Sequence, residues 1–154
     1  MTTEISERQE IQTLEIRKEI EIDAPIDVSF ESVLDELGPE GLGPEGKSLS
    51  MKIEPWPGGR WYRDLGNNTG HLWGHVQVIK PPTLLEITGP MPMSYPAVNH
   101  VQYRLKELGG GRTLLTFLHR AMGLIPSEHR EGMPQGWQNW LENIRKTAER
   151  KAKK

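Results

Sequence analysis

Residues 134–148, which read PQGWQNWLENIRKTA, decide the fold of this chain. Their apolar side chains recur at the spacing of one helix face, namely Trp137, Trp140, Leu141, Ile144 and Ala148. Polar residues occupy the positions between them, and Pro134 suits the first helical turn, where no backbone N–H is needed. The pattern predicts a helix over residues 134–150, about 26 Å long, with an apolar face that another element must cover.

The preceding residues have the period of strands separated by turns, and a sheet would supply that cover. Six apolar segments are bounded by glycine, proline and asparagine, namely Ser48–Glu54, Arg60–Leu65, Gly70–Lys80, Leu84–Gly89, Val98–Leu108 and Arg112–Met122. The connections between them are too short for parallel crossovers. We therefore predict an antiparallel meander.

Two further elements lie towards the N-terminus. Apolar and charged residues alternate from Leu14 to Ile22, which predicts a strand. Apolar residues at helical spacing between Ile26 and Leu37 predict a helix, and Gly38 is placed to end it. The sequence thus predicts an α+β fold, the helix-grip arrangement, in which a curved antiparallel sheet of about six to seven strands wraps around the long C-terminal helix.

Length, composition and charge are those of a single globular domain. The chain has 154 residues, of which 35% are hydrophobic and 26% are charged, and its net charge is −2. We predict a polar tail over residues 1–12, one domain over residues 13–150 and a basic tail over residues 151–154.

The same composition disfavours several classes of function. Nucleic-acid binding would need a strongly basic surface, and no segment has the ~20 consecutive apolar residues that cross a membrane. The absence of cysteine excludes disulfides and thiolate metal sites. The polar N-terminus is unlike a secretory signal, so we expect a cytoplasmic protein with no nucleic-acid partner and no membrane partner.

Several short motifs, taken in order along the chain, resemble the START-like helix-grip (SRPBCC) superfamily. Within it, the chain is similar to the bacterial homologues of the activator of the heat-shock chaperone ATPase. The motifs span residues 14–148 and comprise EIDAP (21–25), PGG (57–59), GHVQVIKPPTLL (74–85) and the Gly136-Trp137 pair. The chain departs from the family at residues 38–47, where a repeated GPEG replaces a second short helix.

The resemblance implies a cavity between the sheet and the C-terminal helix, because members of the superfamily bind lipids, sterols and polyketides or catalyse reactions on them. We expect a binding module for a small hydrophobic or amphipathic molecule. Two alternatives are a chaperone-interacting protein that acts like the ATPase activator and an enzyme of the cyclase or dehydratase type. No nucleophile motif, phosphate loop or zinc-hydrolase motif demands catalysis, and we expect no cofactor and no metal.

The turn around Gly110 predicts the register of the hairpin that it connects. It opposes Val101 to His119 and Tyr103 to Phe117, and residues directly opposite each other share a face of the sheet. His119 and Tyr103 would then face the helix, either as core residues that are each satisfied by one hydrogen bond or as polar groups in an apolar cavity. The alternate residues of the second strand offer a competing apolar face, so a register slipped by one residue stays open.

The segment Pro90–Pro96 alternates proline with Met91, Met93 and Tyr95, and its prolines favour an extended form. The three side chains would project to one side, where they either plug the end of the core or form a lid over the ligand. We predict ligand contacts for these residues and for those on the hairpin and helix: Met91, Met93, Tyr95, Tyr103, Phe117, His119, Trp137 and Trp140.

A row of His71, Trp73 and His75 lies on the strand predicted over residues 70–80. Histidines four residues apart on a strand are ~13 Å apart, too far to share one zinc ion. If Leu72 and Val76 face the helix, this row lies on the convex side of the sheet. A tryptophan there would suit self-association, so a homodimer joins the small molecule and the chaperone as a possible partner.

Overall fold

The structure is a computed structural model that describes residues 1–43 and 45–154. Its elements are β1 (Gln12–Ile22), α1 (Ile26–Glu36), β2 (Met51–Ile53), β3 (Arg60–Gly66), β4 (Thr69–Lys80), β5 (Leu84–Gly89), β6 (Ala97–Gly109), β7 (Arg112–Gly123) and α2 (Ser127–Ala152). The strands form one antiparallel sheet in the order β1-β7-β6-β5-β4-β3-β2. The α+β helix-grip fold is thereby confirmed.

Helix α2 carries the predicted apolar face into the core. Leu141, Ile144 and Ala148 are fully buried, whereas Trp137 and Trp140 pack against the core and stay partly exposed. The helix begins at Ser127 instead of Pro134, so that prediction was wrong. The chain has already turned at Pro126, whose carbonyl accepts the Arg130 N–H at 3.0 Å, and Pro134 therefore falls inside the helix.

The register of the β6–β7 hairpin is the predicted one. Val101 pairs with His119, and Tyr103 pairs with Phe117. All four side chains are buried, with exposed fractions of 0–1%. The slipped register is therefore excluded, and the inward face of this hairpin is the floor of the core.

Strand β4 differs from the prediction, because Trp73 is buried and Leu72 is exposed. Leu72 pairs with Tyr62 and Gly74 pairs with Trp61, so Trp73 is an extra residue between two paired positions. Such a β-bulge reverses the alternation of side chains between the faces of the sheet. The condition that Leu72 and Val76 both face the helix is therefore met by Val76 alone.

The bulge also separates the two histidines of β4. His71 pairs with Arg63, which pairs with the buried Met51, and His71 therefore shares the concave face of the sheet. His75 is exposed beside the buried Val76 and points to the convex face. Because Trp73 is buried, it does not provide the surface anchor for self-association that the sequence suggested.

The ends of the chain extend the predicted domain slightly, since β1 begins at Gln12 and α2 continues to Ala152. Residues 1–11, which precede β1, are all exposed. The division into two tails and one domain stays a prediction. In the part of the chain that the structure describes, neither helix has the length and hydropathy that a membrane span requires.

Candidate ligand-binding cavity

A cavity of about 490 Å³ lies between the first half of α2 and the β2–β4 side of the sheet. Ligand pockets of proteins commonly have volumes of about 300–1,000 Å³. The loop before β2, the sheet and the segment after β5 contribute Leu49, Met51, Trp61, Trp73, Pro92 and Met93. The helix contributes Glu128, His129, Gly132, Met133, Gly136, Trp137 and Trp140. The lining is predominantly aromatic and aliphatic, which suits an apolar ligand.

Two other depressions lie on the surface of the sheet. One, of about 420 Å³, lies over β1, β6 and β7, and another, of about 600 Å³, lies around the β3–β4 hairpin. Both are lined by residues of strands and turns alone, without a helix to cover them. The cavity beneath α2 is therefore the candidate site, although the hairpin depression has the larger volume.

Three of the eight predicted contact residues, Met93, Trp137 and Trp140, line this cavity. The other five lie in the core or at the edge of the cavity, namely Met91, Tyr95, Tyr103, Phe117 and His119. Contact of any of the eight with a ligand stays a prediction. The structure divides them into a cavity wall and the packed layer that supports it.

Sequence reasoning missed Trp61, Trp73 and Met133 as parts of the wall. The inward position of Trp61 could have been predicted from the alternation of β3, because Trp61 lies between polar residues in a short strand. Trp73 was hidden by the β-bulge, and Met133 was missed because the helix was expected to start after it.

The sheet side of the cavity is built on two tryptophans in contact with each other. The rings of Trp61 and Trp73 meet edge to face, with centroids 5.2 Å apart. The Trp61 indole N–H donates to the Leu37 carbonyl oxygen at 2.9 Å, which ties this wall to the end of α1. The Trp73 indole N–H is buried and has no acceptor among the described residues.

The helix side is held by a hydrogen-bonded chain that begins at Trp137. Its indole N–H donates to His119 Nδ1 at 3.0 Å, and His119 Nε2 lies 2.8 Å from Asn99 Oδ1. Since an indole can only donate, His119 carries its proton on Nε2 and donates to Asn99. The Asn99 amide in turn donates to the Pro90 carbonyl oxygen at 3.2 Å. Of the two predicted roles, His119 takes that of a satisfied core residue, here with two hydrogen bonds.

Burial lowers the pKa of His119 to about 4, since its side chain has no accessible surface. The imidazole is therefore neutral at physiological pH and remains able to accept from Trp137. Its ring also meets the Trp137 ring edge to face, with centroids 5.4 Å apart. His119 thus fixes the orientation of a cavity residue without lining the cavity.

Tyr103 lies deeper, with its ring centroid 5.2 Å from that of Phe117. Burial raises the pKa of Tyr103, and the neighbouring Trp140 indole opposes this effect. The two groups do not form a hydrogen bond of good geometry, and neither the Tyr103 hydroxyl nor the Trp140 indole N–H has another partner in the described chain. Tyr103 is a core residue with an unsatisfied hydroxyl behind the Trp140 wall.

The segment Pro90–Pro96 both plugs the core and borders the cavity. Met91 is fully buried in the core, and Met93 lines the cavity. The Tyr95 hydroxyl lies 2.7 Å from Met93 Sδ and 3.1 Å from His129 Nδ1 on α2. This contact joins the segment to the first turn of the helix, and partial burial raises the pKa of Tyr95.

The family comparison agrees with this architecture. The family model described as Activator of Hsp90 ATPase homolog 1-like protein matches residues 47–149, which contain β2–β7 and most of α2. No curated protein matches the chain.

Several solved structures have the same fold at low sequence identity. A protein from Rhizobium leguminosarum is 18% identical with a TM-score of 0.72, covering 94% of this chain and 99% of its own. A Staphylococcus aureus protein of unknown function is 13% identical with a TM-score of 0.67, again covering 94% and 99%. The ZhuI aromatase/cyclase from a Streptomyces species is 16% identical with a TM-score of 0.58, covering 92% and 94%. This chain belongs to the Activator of Hsp90 ATPase homolog 1-like family, within the START-like helix-grip superfamily that its sequence resembles.

Proposed function

We propose that this protein is a binding module for a small hydrophobic or amphipathic molecule, held between the sheet and the first half of α2. The observation that carries the proposal is the open cavity of about 490 Å³ with walls of tryptophan and methionine. Indole rings offer large rigid apolar surfaces, and methionine side chains adapt to ligands of different shape. The lining therefore favours an apolar molecule over a highly polar one.

Two glycines of α2 support the proposal. Gly132 and Gly136 line the cavity, and a Cβ atom added at either position would meet nothing within 4 Å. Glycine inside a helix costs about 0.5–1 kcal/mol relative to alanine, and no close contact in the structure requires it here. Their effect is to widen the cavity on the side of the helix.

A chaperone-interacting role is the alternative that the family description suggests, and catalysis is the alternative that the aromatase/cyclase neighbour suggests. Among the described lining residues, Glu128 and His129 are the titratable side chains, and both lie at the exposed start of α2. Glu128 takes part in no ion pair of the described chain, and His129 contacts the Tyr95 hydroxyl at 3.1 Å instead of a carboxylate. The cavity therefore favours binding over catalysis.

The test is a titration with N-phenyl-1-naphthylamine, a neutral apolar probe whose fluorescence increases when it leaves water. We expect saturable binding at one site, with a change in tryptophan fluorescence from the cavity wall. Gly136→Leu should fill the space and weaken probe binding by about tenfold or more, as expected when 1.4 kcal/mol of contact is lost.

Gln135→Leu is the matched control, because it adds the same side chain to an exposed position next to Gly136. It should leave the dissociation constant unchanged. A signal that rises without saturation, or an equal response of both leucine variants, would contradict the proposed function and favour the chaperone-interacting alternative.

A further inference from the structure

We infer that the ligand is an amphipathic anion, whose apolar body lies in the cavity and whose carboxylate-like head lies beside Arg63. This inference rests on the proposed function, and it specifies the chemical class of the ligand. It is based on the position of Arg63 and on the lack of a hydrogen-bond acceptor for the buried Nε of its guanidinium group.

Arg63 belongs to the concave face of the sheet, two residues after Trp61 of the cavity wall, and it lines the hairpin depression around β3 and β4. It pairs across strands with Met51 on β2 and with His71 on β4. Met51 lines the cavity, and so does Trp73, whose ring centroid is 6.5 Å from that of His71. Because directly paired residues share a face, Arg63 lies in the same row as the apolar wall.

The guanidinium of Arg63 lacks the carboxylate partner that the neighbouring Arg60 has. Its Nε is buried and has no acceptor among the described residues, and Arg63 takes part in none of the ion pairs found there. By contrast, Arg60, three residues earlier, makes hydrogen bonds of 2.8 and 2.9 Å to both oxygens of Glu54. Buried donors are rarely left without an acceptor in folded proteins.

A second unsatisfied donor belongs to the residue whose ring contacts His71, the cross-strand partner of Arg63, namely the buried indole N–H of Trp73. Arginine and tryptophan side chains can only donate hydrogen bonds, so both groups require acceptor oxygens. Guanidinium groups bind carboxylates with particular strength, through parallel charge-assisted hydrogen bonds. An apolar molecule that ends in an oxyanion would satisfy these donors and fill the cavity together.

The charges around the cavity are compatible with such a ligand. Glu128 and His129 line the cavity on the helix side, whereas Arg63 and His71 line the hairpin depression on the same face of the sheet as Met51 and Trp73 of the cavity wall. Glu128 is the one carboxylate among the described lining residues, and it does not pair with Arg63. The sheet side thus offers a cation that no acid of the described chain neutralises.

The experiment compares two probes of the same ring skeleton. 8-Anilinonaphthalene-1-sulfonate differs from N-phenyl-1-naphthylamine only by its sulfonate, which stands in for the anionic head. We expect the anionic probe to bind more tightly to the unmodified protein, and added salt should weaken only its binding. Arg63→Gln should raise the dissociation constant of the anionic probe by about tenfold and leave that of the neutral probe unchanged.

Arg104→Gln is the matched control, because it removes the same charge from an exposed position on β6. It should change neither dissociation constant. If Arg63→Gln does not fold, Arg63→Met retains the aliphatic stem and tests the same loss of charge. The salt dependence of the unmodified protein provides a test without any variant.

The outcomes separate the two proposals. If the neutral probe saturates one site but the sulfonate brings no gain in affinity, or if Arg63→Gln affects both probes equally, the anion inference is overturned and the binding function stands. If neither probe saturates, the binding function itself is overturned.

Discussion

His119 is a buried core residue that accepts a hydrogen bond from Trp137 of the cavity wall. Burial keeps its imidazole in the neutral form that can accept this bond. Its pKa is about 4 in the folded protein, against about 6.5 for a histidine in an unfolded chain. Between these values, the unfolded chain binds a proton that the folded protein does not bind. The stability contributed by the neutral imidazole is thus fully present above pH 6.5 and is lost as the pH falls towards 4.

We therefore expect acidification from pH 6.5 to pH 4 to lower the free energy of unfolding, with His119 accounting for about 3 kcal/mol at most. His119→Gln should be less stable at pH 7, and its stability should depend less on pH within this window. Urea denaturation at several pH values measures both. Equal pH dependence in the two proteins would show that His119 does not titrate in this range.

Trp137 allows the hydrogen bond to His119 to be tested apart from the aromatic packing. Trp137→Phe keeps an aromatic ring but removes the indole N–H, which leaves His119 Nδ1 buried without its donor. We expect a loss of about 1–3 kcal/mol in the free energy of unfolding. Trp56→Phe makes the same change at a side chain that is 54% exposed, and it should alter stability by less than about 0.5 kcal/mol. Equal losses in the two variants would contradict the assigned role of the hydrogen bond.

Among the elements, the β6–β7 hairpin has the register that the sequence analysis favoured, whereas the side-chain faces of β4 could not be predicted. The hairpin has a short glycine turn, so the positions of Tyr103 and His119 follow from counting residues in both directions from Gly110. The bulge at Trp73 depends on which backbone groups of β3 and β4 pair with each other. The periodicity of the side chains does not show which backbone groups pair. An alternation that is continued through a bulge therefore assigns every residue after the bulge to the wrong face of the sheet.

The candidate site, like the strands, could be predicted only in part. The C-terminal helix and its tryptophans were identified from spacing alone, because the 3.6-residue period is unbroken from Trp137 to Ala148. The first turns of α2 were missed, because Pro134 is a typical first residue of a helix and Gly132 disfavours one. The helical form of those turns depends on tertiary context, which overrides local propensity.

The close approach of β4 and β5 beside the bulge gives a test at the scale of elements. A Cβ added at Gly89 would lie 2.5 Å from Gly74 Cα and 2.6 Å from the Trp73 carbonyl oxygen. Both obstacles are backbone atoms, so Gly89→Ala should force the strands apart and destabilise the protein by about 1–3 kcal/mol.

Gly132→Ala is the control for this substitution, since its Cβ would meet nothing within 4 Å and its backbone is helical. It should stabilise the protein by about 0.5–1 kcal/mol. Thermal denaturation followed by circular dichroism measures both variants. A neutral Gly89→Ala would mean that the strands around Trp73 can separate at little cost, and the bulge would not be a rigid part of the wall.

At the scale of the whole molecule, the two halves of α2 differ in how closely they are packed. Its second half is packed solidly, with Leu141, Ile144 and Ala148 buried and with Thr147 donating to Glu36 of α1 at 2.7 Å. Its first half borders the cavity and contains Gly132 and Pro134, both of which weaken a helix. The second half of α2 therefore contributes more to stability than the first half, and substitutions in the first half of α2 should be tolerated better than those around Ile144.

The pairing of β1 with β7 also constrains how the chain reaches this structure. Ile22 lies opposite Thr113, so the first strand finds its partner only after most of the sequence is available. Contacts so distant in sequence slow folding, because a large loop must close before they form. During synthesis on the ribosome, both edges of β1 therefore stay unpaired until β2–β6 and then its partner β7 have emerged. Its alternating charges at Glu15, Arg17 and Glu19 are the feature that would keep this waiting strand from pairing with another nascent chain.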